Sequence, residues 1–488
     1  MSLFEKIMKT LNALAACILV GASLVTAQTS RMMMPTVSSP SIADGGTELG
    51  ANNTLTASGI ALNNRVKMRG FVDFRYDYTD LDNLATGDDD ARFRTAADVD
   101  FLFDFSPVTG ELHLAASSGG VNLEQAFLRY NFNQDFSLTA GRQLTVLGFE
   151  KDEAPNMYQT SYAYLTDVAY DLEERGGVTA LEEFVGVTSL RTDLSPGLTK
   201  LFGSAVNLAT AGLPYTELNK LGALTAAPVG NFDLPSFRRN YVDGIRLNFN
   251  NGQFGFVAGI HNGYFTSDDN LNDGNIGIDI AASVMIVPGL EFRLGFGYEN
   301  NDDFDNAMSA YNSHASQFRQ AFLQDVRNDP NLSDKSSVLY NGMTNSQKFD
   351  AYDRFYKSAS MIAPFPEADD ISQINFLLSY QTGGLTLAFE WDLWNVYVID
   401  MWNLMFLANY QFNDVFGLTF RYSHEDFEAD VPGGGEGSSN RFTIGPMFSV
   451  TDNLTVGIEY SHAELDSTNI AGGDSSVDEL YAETIFSF

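Results

Sequence analysis

The chain has 488 residues, a formal net charge of -35 and 13% aromatic residues, with 38 Phe and 21 Tyr. Such an acidic excess argues against nucleic acid as a partner, because phosphate binding needs a basic surface, and the aromatic content argues against an acidic disordered chain. Cys17 is the only cysteine, which excludes an intramolecular disulfide framework and a centre built from several cysteines.

In chain order, the first element is a targeting pattern. Lys6 and Lys9 precede the apolar run "LNALAACILVGASLV", and small residues lead to an expected cut after Ala27, so residues 1–27 read as a secretory signal peptide. "LAAC" (Leu14 to Cys17) loosely fits a lipoprotein signal, but the apolar run continues to Val25. Later on, no stretch of 18 apolar residues occurs, so no transmembrane helix is expected. Residues 28–64 are rich in Ser, Thr, Asn and Gly and read as a flexible lead-in.

From residue 65 to 488 the pattern has period two. In "VKMRGFVDFRYDY", Val66, Met68, Val72, Phe74, Tyr76 and Tyr78 share one face; Lys67, Arg69, Asp73, Arg75 and Asp77 share the other, with Phe71 the exception. "ADVDFLFDF" sets Val99, Phe101, Phe103 and Phe105 against Asp98, Asp100 and Asp104. "LTLAFEWDL" and "LTVGIEY" repeat the pattern, and the closing "YAETIFSF" keeps Phe486 and Phe488 on one parity. Alternation of this kind specifies half-buried strands.

The connections alternate in length. Tight turns occur at "SPVTG" (106), "NQD" (133), "LSPG" (194), "NNGQ" (250), "VPG" (287), "TGG" (382), "ND" (413) and "TDN" (451). Between them lie longer segments at 79–92, 151–177, 210–240, 265–273, 301–370, 428–438 and 467–475. Short turns at one end and long loops at the other describe an all-β transmembrane antiparallel barrel with short periplasmic turns and long extracellular loops, of about 18 strands with 16 as the alternative. Hydrocarbon demands that every backbone polar group be paired within the protein, and without a spanning helix only a closed sheet does so. The apolar face then meets outer-membrane lipid, with Tyr76, Tyr78, Tyr130, Tyr298, Tyr380, Trp391, Tyr410, Tyr422 and Tyr460 as girdle residues.

By the same parity the inner wall carries Arg69, Arg75, Arg94 and Arg129 among its arginines, and Asp98 and Asp100 among its acids. The two signs nearly balance there, so the acidic excess falls in loops such as "DLDNLATGDDD" and "ENNDDFDN", which favour cations or divalent-bridged lipopolysaccharide. The long segment 151–177 sets tyrosines among Asp152, Glu153, Asp167 and Asp171; folded inward, it would narrow the pore and oppose the wall arginines. These ten residues are the pore-lining and constriction candidates. Arg142 has outward parity, which a bulge at Gly141 would reverse. In 301–370, Met308, Tyr311, Ala315, Phe318, Phe322 and Val326 recur at helical spacing and suggest a cap or plug for the mouth.

Catalytic patterns are missing. The five histidines (His113, His261, His314, His424, His462) have no ligand spacing and read as solvated or lumen residues, and neither G-x-S-x-G nor H-E-x-x-H occurs. His424 with Asp426, and Asp268 with Asp269, imitate a rim hydrolase at most. No enzyme, cofactor or metal is expected.

At "GRQLTVLGFEKDEAPNMYQTSYAY" the chain resembles the OmpL-like β-barrel porin family, through Gly141-Arg142, Gly148-Phe149-Glu150, Asn156 and Ser161-Tyr162. The likeness extends weakly to Gly244–Tyr264, and 178–240 departs from it. The resemblance implies a porin for small polar solutes in a Gram-negative-type outer membrane, with lipid and lipopolysaccharide as its surroundings. Porins of this kind are often homotrimers, although no interface pattern stands out here. A structural or receptor barrel plugged by 301–370 is the other reading.

Overall fold

The computed structural model describes residues 49, 59–82, 90–117, 120–150, 153–164, 241–263, 276–300, 369–397, 399–429, 436–467 and 474–488. The strands are β1 (Ile60–Ala61), β2 (Val66–Asp82), β3 (Asp90–Phe105), β4 (Val108–Ser117), β5 (Gly120–Asn131), β6 (Phe136–Leu144), β7 (Tyr241–Asn250), β8 (Phe254–His261) and β9 (Gly277–Val287). They continue as β10 (Leu290–Glu299), β11 (Asp369–Thr382), β12 (Leu385–Tyr397), β13 (Ile399–Gln411), β14 (Phe416–Ala429), β15 (Glu436–Thr451), β16 (Leu454–Ser467) and β17 (Asp474–Ser487). From β2 to β17 each strand pairs antiparallel with the next, and β17 pairs back onto β2, so β2 to β17 make a closed barrel of sixteen strands.

Closure seals the aromatic strand β17 to β2. Gly70 and Phe488 exchange both backbone hydrogen bonds, at 3.0 and 2.9 Å, so the last residue is sealed to β2. Past that point β1 takes over the free edge, pairing Ile60 with Met68 and Ala61 with Lys67. A sheet edge is thereby paired rather than left open to hydrocarbon.

Sixteen corrects the expectation of about 18, in favour of its alternative. β6 pairs directly with β7, from Phe136–Phe249 to Leu144–Tyr241, so nothing stands between them in the sheet. The segments 151–177 and 210–240 therefore belong to one connection, and the turn expected at 194 lies outside the described residues. The hairpin of β4 and β5 stands as expected, joined at Ser117 and Gly120.

The tight turns share a device. Asn133 Oδ1 accepts from the backbone N–H of Asp135 (2.9 Å) and Phe136 (3.0 Å), and Asn413 does the same for Val415 and Phe416. Asn251 caps Gln253 and Phe254, and Asn63 caps Arg65 and Val66. The amide side chain replaces a backbone carbonyl, which is why Asn nucleates such turns. Gly252 (φ +84°) supplies the left-handed position that a side chain would strain.

The two faces segregate as the alternation requires. Phe74, Phe93, Leu128, Ile245, Ile260, Leu294, Phe420, Ile444, Ile458 and Phe486 are exposed on the outer face. Asp77, Asp98, Asp100, Glu111, Arg129, Arg246, Asp279, Glu390, Arg421, Arg441, Glu459 and Glu483 are buried inside. At the short-turn rim, the rings of Tyr130, Phe132 and Phe136 meet in series, as do those of Tyr410, Phe412, Phe416 and Phe448. Arg142 keeps its outward parity: no register shift occurs at Gly141, and the guanidinium meets Asp243 at 3.3 Å.

The inner face is not wholly polar, which alternation alone did not anticipate. Leu377, Ala388, Met405 and Leu407 are buried on it. In β13 part of the inner face, Met405 and Leu407, is apolar as well, because it meets a segment that enters the barrel.

Candidate functional site: a segment across the lumen

After Leu144 the chain leaves the wall and turns into the barrel. Arg246 of β7 donates to the Leu144 carbonyl (2.8 Å) and pairs with Asp279 of β9 (2.9 Å), which also meets His261 Nε2 at 3.0 Å. Leu147 then lies against Gly295 of β10, where an added Cβ would fall 2.1 Å from its Cδ2. A side chain at 295 would occupy the path of the segment.

Residues 148–150 and 153–164 meet opposite walls. Glu153 Oε1 lies 3.8 Å from His113 Nδ1 of β4. A short 3-10 turn, Ala154–Asn156, follows, with Pro155 inside it. Tyr158 Oη then meets Thr386 of β12 at 3.5 Å and accepts from Gln381 of β11 at 3.3 Å. β4 and β12 are eight places apart (12 − 4) in a ring of sixteen, hence diametrically opposed. With strands about 4.8 Å apart and tilted about 40°, such a ring is about 32 Å across between backbones.

Main-chain groups carry much of the docking. The Phe149 N–H donates to both oxygens of Glu390, each at 3.1 Å. Thr160 and Ser161 N–H groups donate to Glu459, at 2.6 and 3.2 Å, and Thr160 Oγ1 donates to Glu483 at 2.9 Å. In the other direction, Arg421 donates to the carbonyls of Ser161 (2.8 Å) and Tyr162 (2.6 Å), to Ser161 Oγ (2.8 Å), and to Glu150. Arg441 adds a bond to the Tyr162 carbonyl (2.9 Å) while holding Glu479 and Ser461, and Ser423 donates to the Ala163 carbonyl. Charged wall groups thus satisfy peptide groups that would otherwise be buried without partners. Ala163 and Tyr164 complete the dock by packing on Ala388, Met405 and Leu407, with Phe149 and Tyr158 beside them.

The expected site residues fall as follows. Arg69, Asp98, Asp100 and Arg129 are buried on the inner wall. Arg69 pairs with Asp100 at 2.7 Å; Arg75 and Arg94 both pair with Asp77, at 2.7 and 2.8 Å. Arg129 donates to Thr139 at 3.3 Å and lies 5.6 Å from the Phe127 ring. Glu153 lies in the lumen, but it faces His113 and the β3 carboxylates rather than an arginine row. Asp152, Asp167, Asp171 and the expected helical stripe of 301–370 lie outside the described residues. His113 and His261 are fully buried among carboxylates, where the sequence suggested solvated or simple lumen positions.

The residues that hold the segment were legible as inward-facing but not as a set. Glu390, Glu459, Glu483, Arg421 and Arg441 follow the alternation, yet nothing local marks them as receptors for residues 149–163. Glu150, Ser161 and Tyr162, which carry the family resemblance, are bound by Arg421 or Arg441.

No family model matches the chain, and no curated protein matches it. Among solved structures it is similar to the outer membrane channel DcaP of Acinetobacter baumannii (10% identity, TM-score 0.45, covering 88% of this chain and 100% of that one). It is also similar to Salmonella typhi OmpF in complex with daunomycin (13%, 0.45, 87% and 97%). A third is an anion-selective porin from Comamonas acidovorans (11%, 0.43, 87% and 99%). The barrel assignment rests on the strand register itself.

Proposed function

We propose that this chain is an outer-membrane porin, through which small hydrophilic solutes or ions diffuse passively. Residues 145–164 act as its constriction. One observation carries the reading: a closed sixteen-stranded barrel, apolar outside and charged inside, holds a polar segment that joins opposite walls. Barrels of this strand number are wide enough for a water path beside such a segment. The apolar outer face fits lipid, and the Gram-negative-type outer membrane follows from the same feature together with the resemblance to OmpL-like porins. On this reading the wall residues Arg69, Arg75, Arg94, Arg129, Asp98 and Asp100, with Glu153 on the segment, border the narrow zone. With a net charge of -35, the mouth enriches cations, so the channel prefers them.

Single-channel recording of the full chain in a planar bilayer, under a salt gradient, tests this. The expected result is ohmic conductance with a reversal potential of cation sign. Heat-modifiable, natively folded protein that carries no current would refute the porin reading. A second reading, a barrel closed by its own segment, is favoured by how many wall charges the segment engages; silence that ends when 148–164 is removed would establish it.

A further inference from the structure

Asp98 and Asp100 stand two residues apart on β3 and share its inner face, and Asp100 lies opposite His113 of β4 in the register. Glu153 approaches from the lumen-crossing segment. One donor atom from each of these four residues falls within 4.8 Å of the others, and all four side chains are buried. Arg69, bound to Asp100 Oδ2 at 2.7 Å, leaves Asp100 Oδ1 on the side of the cluster. With Glu111 beside His113, four carboxylates surround one guanidinium and one imidazole, so the group is out of charge balance with water excluded unless protons or a cation offset it.

Unfilled hydrogen-bonding capacity lies inside this cluster, as it does at several other wall positions. Asp98 is 3% exposed, and neither of its oxygens has a hydrogen-bond partner among the described residues. Asp100 Oδ1 and His113 Nδ1 are 2.6 Å apart, yet neither forms a hydrogen bond with the geometry one requires. On the other side of the ring, His113 Nε2 lies 3.1 Å from Glu111. A carboxylate only accepts, so Nε2 carries its proton towards Glu111, and a cation shared by Nδ1 and Asp100 Oδ1 would replace the proton that their 2.6 Å contact otherwise needs. Donor atoms sharing a cation at about 2.1 Å and about 90° lie about 3 Å apart, which is the scale of this contact. A ligating imidazole that donates its far N–H to a carboxylate is also the usual support for a metal-bound histidine.

We propose that Asp98, Asp100, His113 and Glu153 form a binding site for one first-row divalent cation, which ties the lumen-crossing segment to β3 and β4. An imidazole among carboxylates suits manganese or zinc better than magnesium or calcium, and the lack of sulfur argues against copper(I). The inference rests on the cluster and not on solute passage.

Full-length protein, folded in detergent and freed of metal with a chelator, is titrated with Mn2+ and followed by electron paramagnetic resonance. One Mn2+ per chain is expected, with coupling to a nitrogen nucleus that vanishes in His113→Ala. Asp98→Asn and Glu153→Gln each weaken binding at least about tenfold, as loss of a ligand should. Glu153→Gln lies outside the strand ladder, so its barrel closes normally and gel mobility verifies that. The acidic loops also attract dications, and affinity unchanged in both variants would assign the ions to them and overturn the site. Failure to bind either Mn2+ or Zn2+ would overturn it as well, leaving protons to balance the charge.

Discussion

Arg421→Ala separates the docking of the segment from the integrity of the barrel. The guanidinium is fully buried, and its bonds go to Glu150, Ser161 and Tyr162, with none to a barrel strand among the described residues. Removing one side of a buried charged contact costs about 3–5 kcal/mol, because the partners stay buried without it. Taking about 4 kcal/mol, and about 1.4 kcal/mol per factor of ten, the released state around residues 158–163 gains about a thousandfold in population. Glu390 still holds Phe149, so the release is local, and Glu459, Glu483 and Arg441 still bind Thr160, Ser161 and Tyr162, so the released state stays a minor one. Gln159, 2% exposed, reports on it. Gln159→Cys, in a chain whose Cys17 is replaced by Ser, reacts with a membrane-impermeant thiol reagent only when the segment opens. In the Arg421→Ala background the labelling rate rises by two to three orders of magnitude, and single-channel current becomes noisier and larger. Thermal unfolding of the barrel stays near that of the parent. Unchanged labelling and unchanged current would refute the assignment of Arg421 as the anchor.

Gly295→Val places atoms where Leu147 lies, since even a Cβ would come within 2.1 Å of it; overpacking of about 1–3 kcal/mol should raise the conductance, and Leu147→Ala in the same chain should restore the parent value. Ile444→Arg puts a charge at mid-strand on the outer face, beside Phe420 and Tyr460. It should cost about 2–4 kcal/mol in urea unfolding from lipid vesicles, whereas the same change at a solvated face would cost almost nothing.

The amino-acid order by itself determined the local features. Alternation set which residue of each strand faces out, because the side-chain period of a strand is two and cannot drift. The Asn and Gly turns set where strands reverse, because those side chains and that backbone favour the turn without help from the rest of the chain. What the pattern did not carry was the count of strands, the apolar patch at Met405 and Leu407, and the receptor groups for residues 149–163. The expectation of about 18 counted strands on either side of the turn-like residues at 194, and the direct pairing of β6 with β7 leaves no place in the barrel wall between those two strands. The decisive contacts join residues far apart in sequence: Phe149 with Glu390, Thr160 with Glu459 and with Glu483, separated by 241, 299 and 323 positions. The cluster of Asp98, Asp100, His113 and Glu153 likewise joins two strands and a crossing segment. Contacts of that span leave no period or motif in any one stretch of chain, and closing the ring is what brings them together.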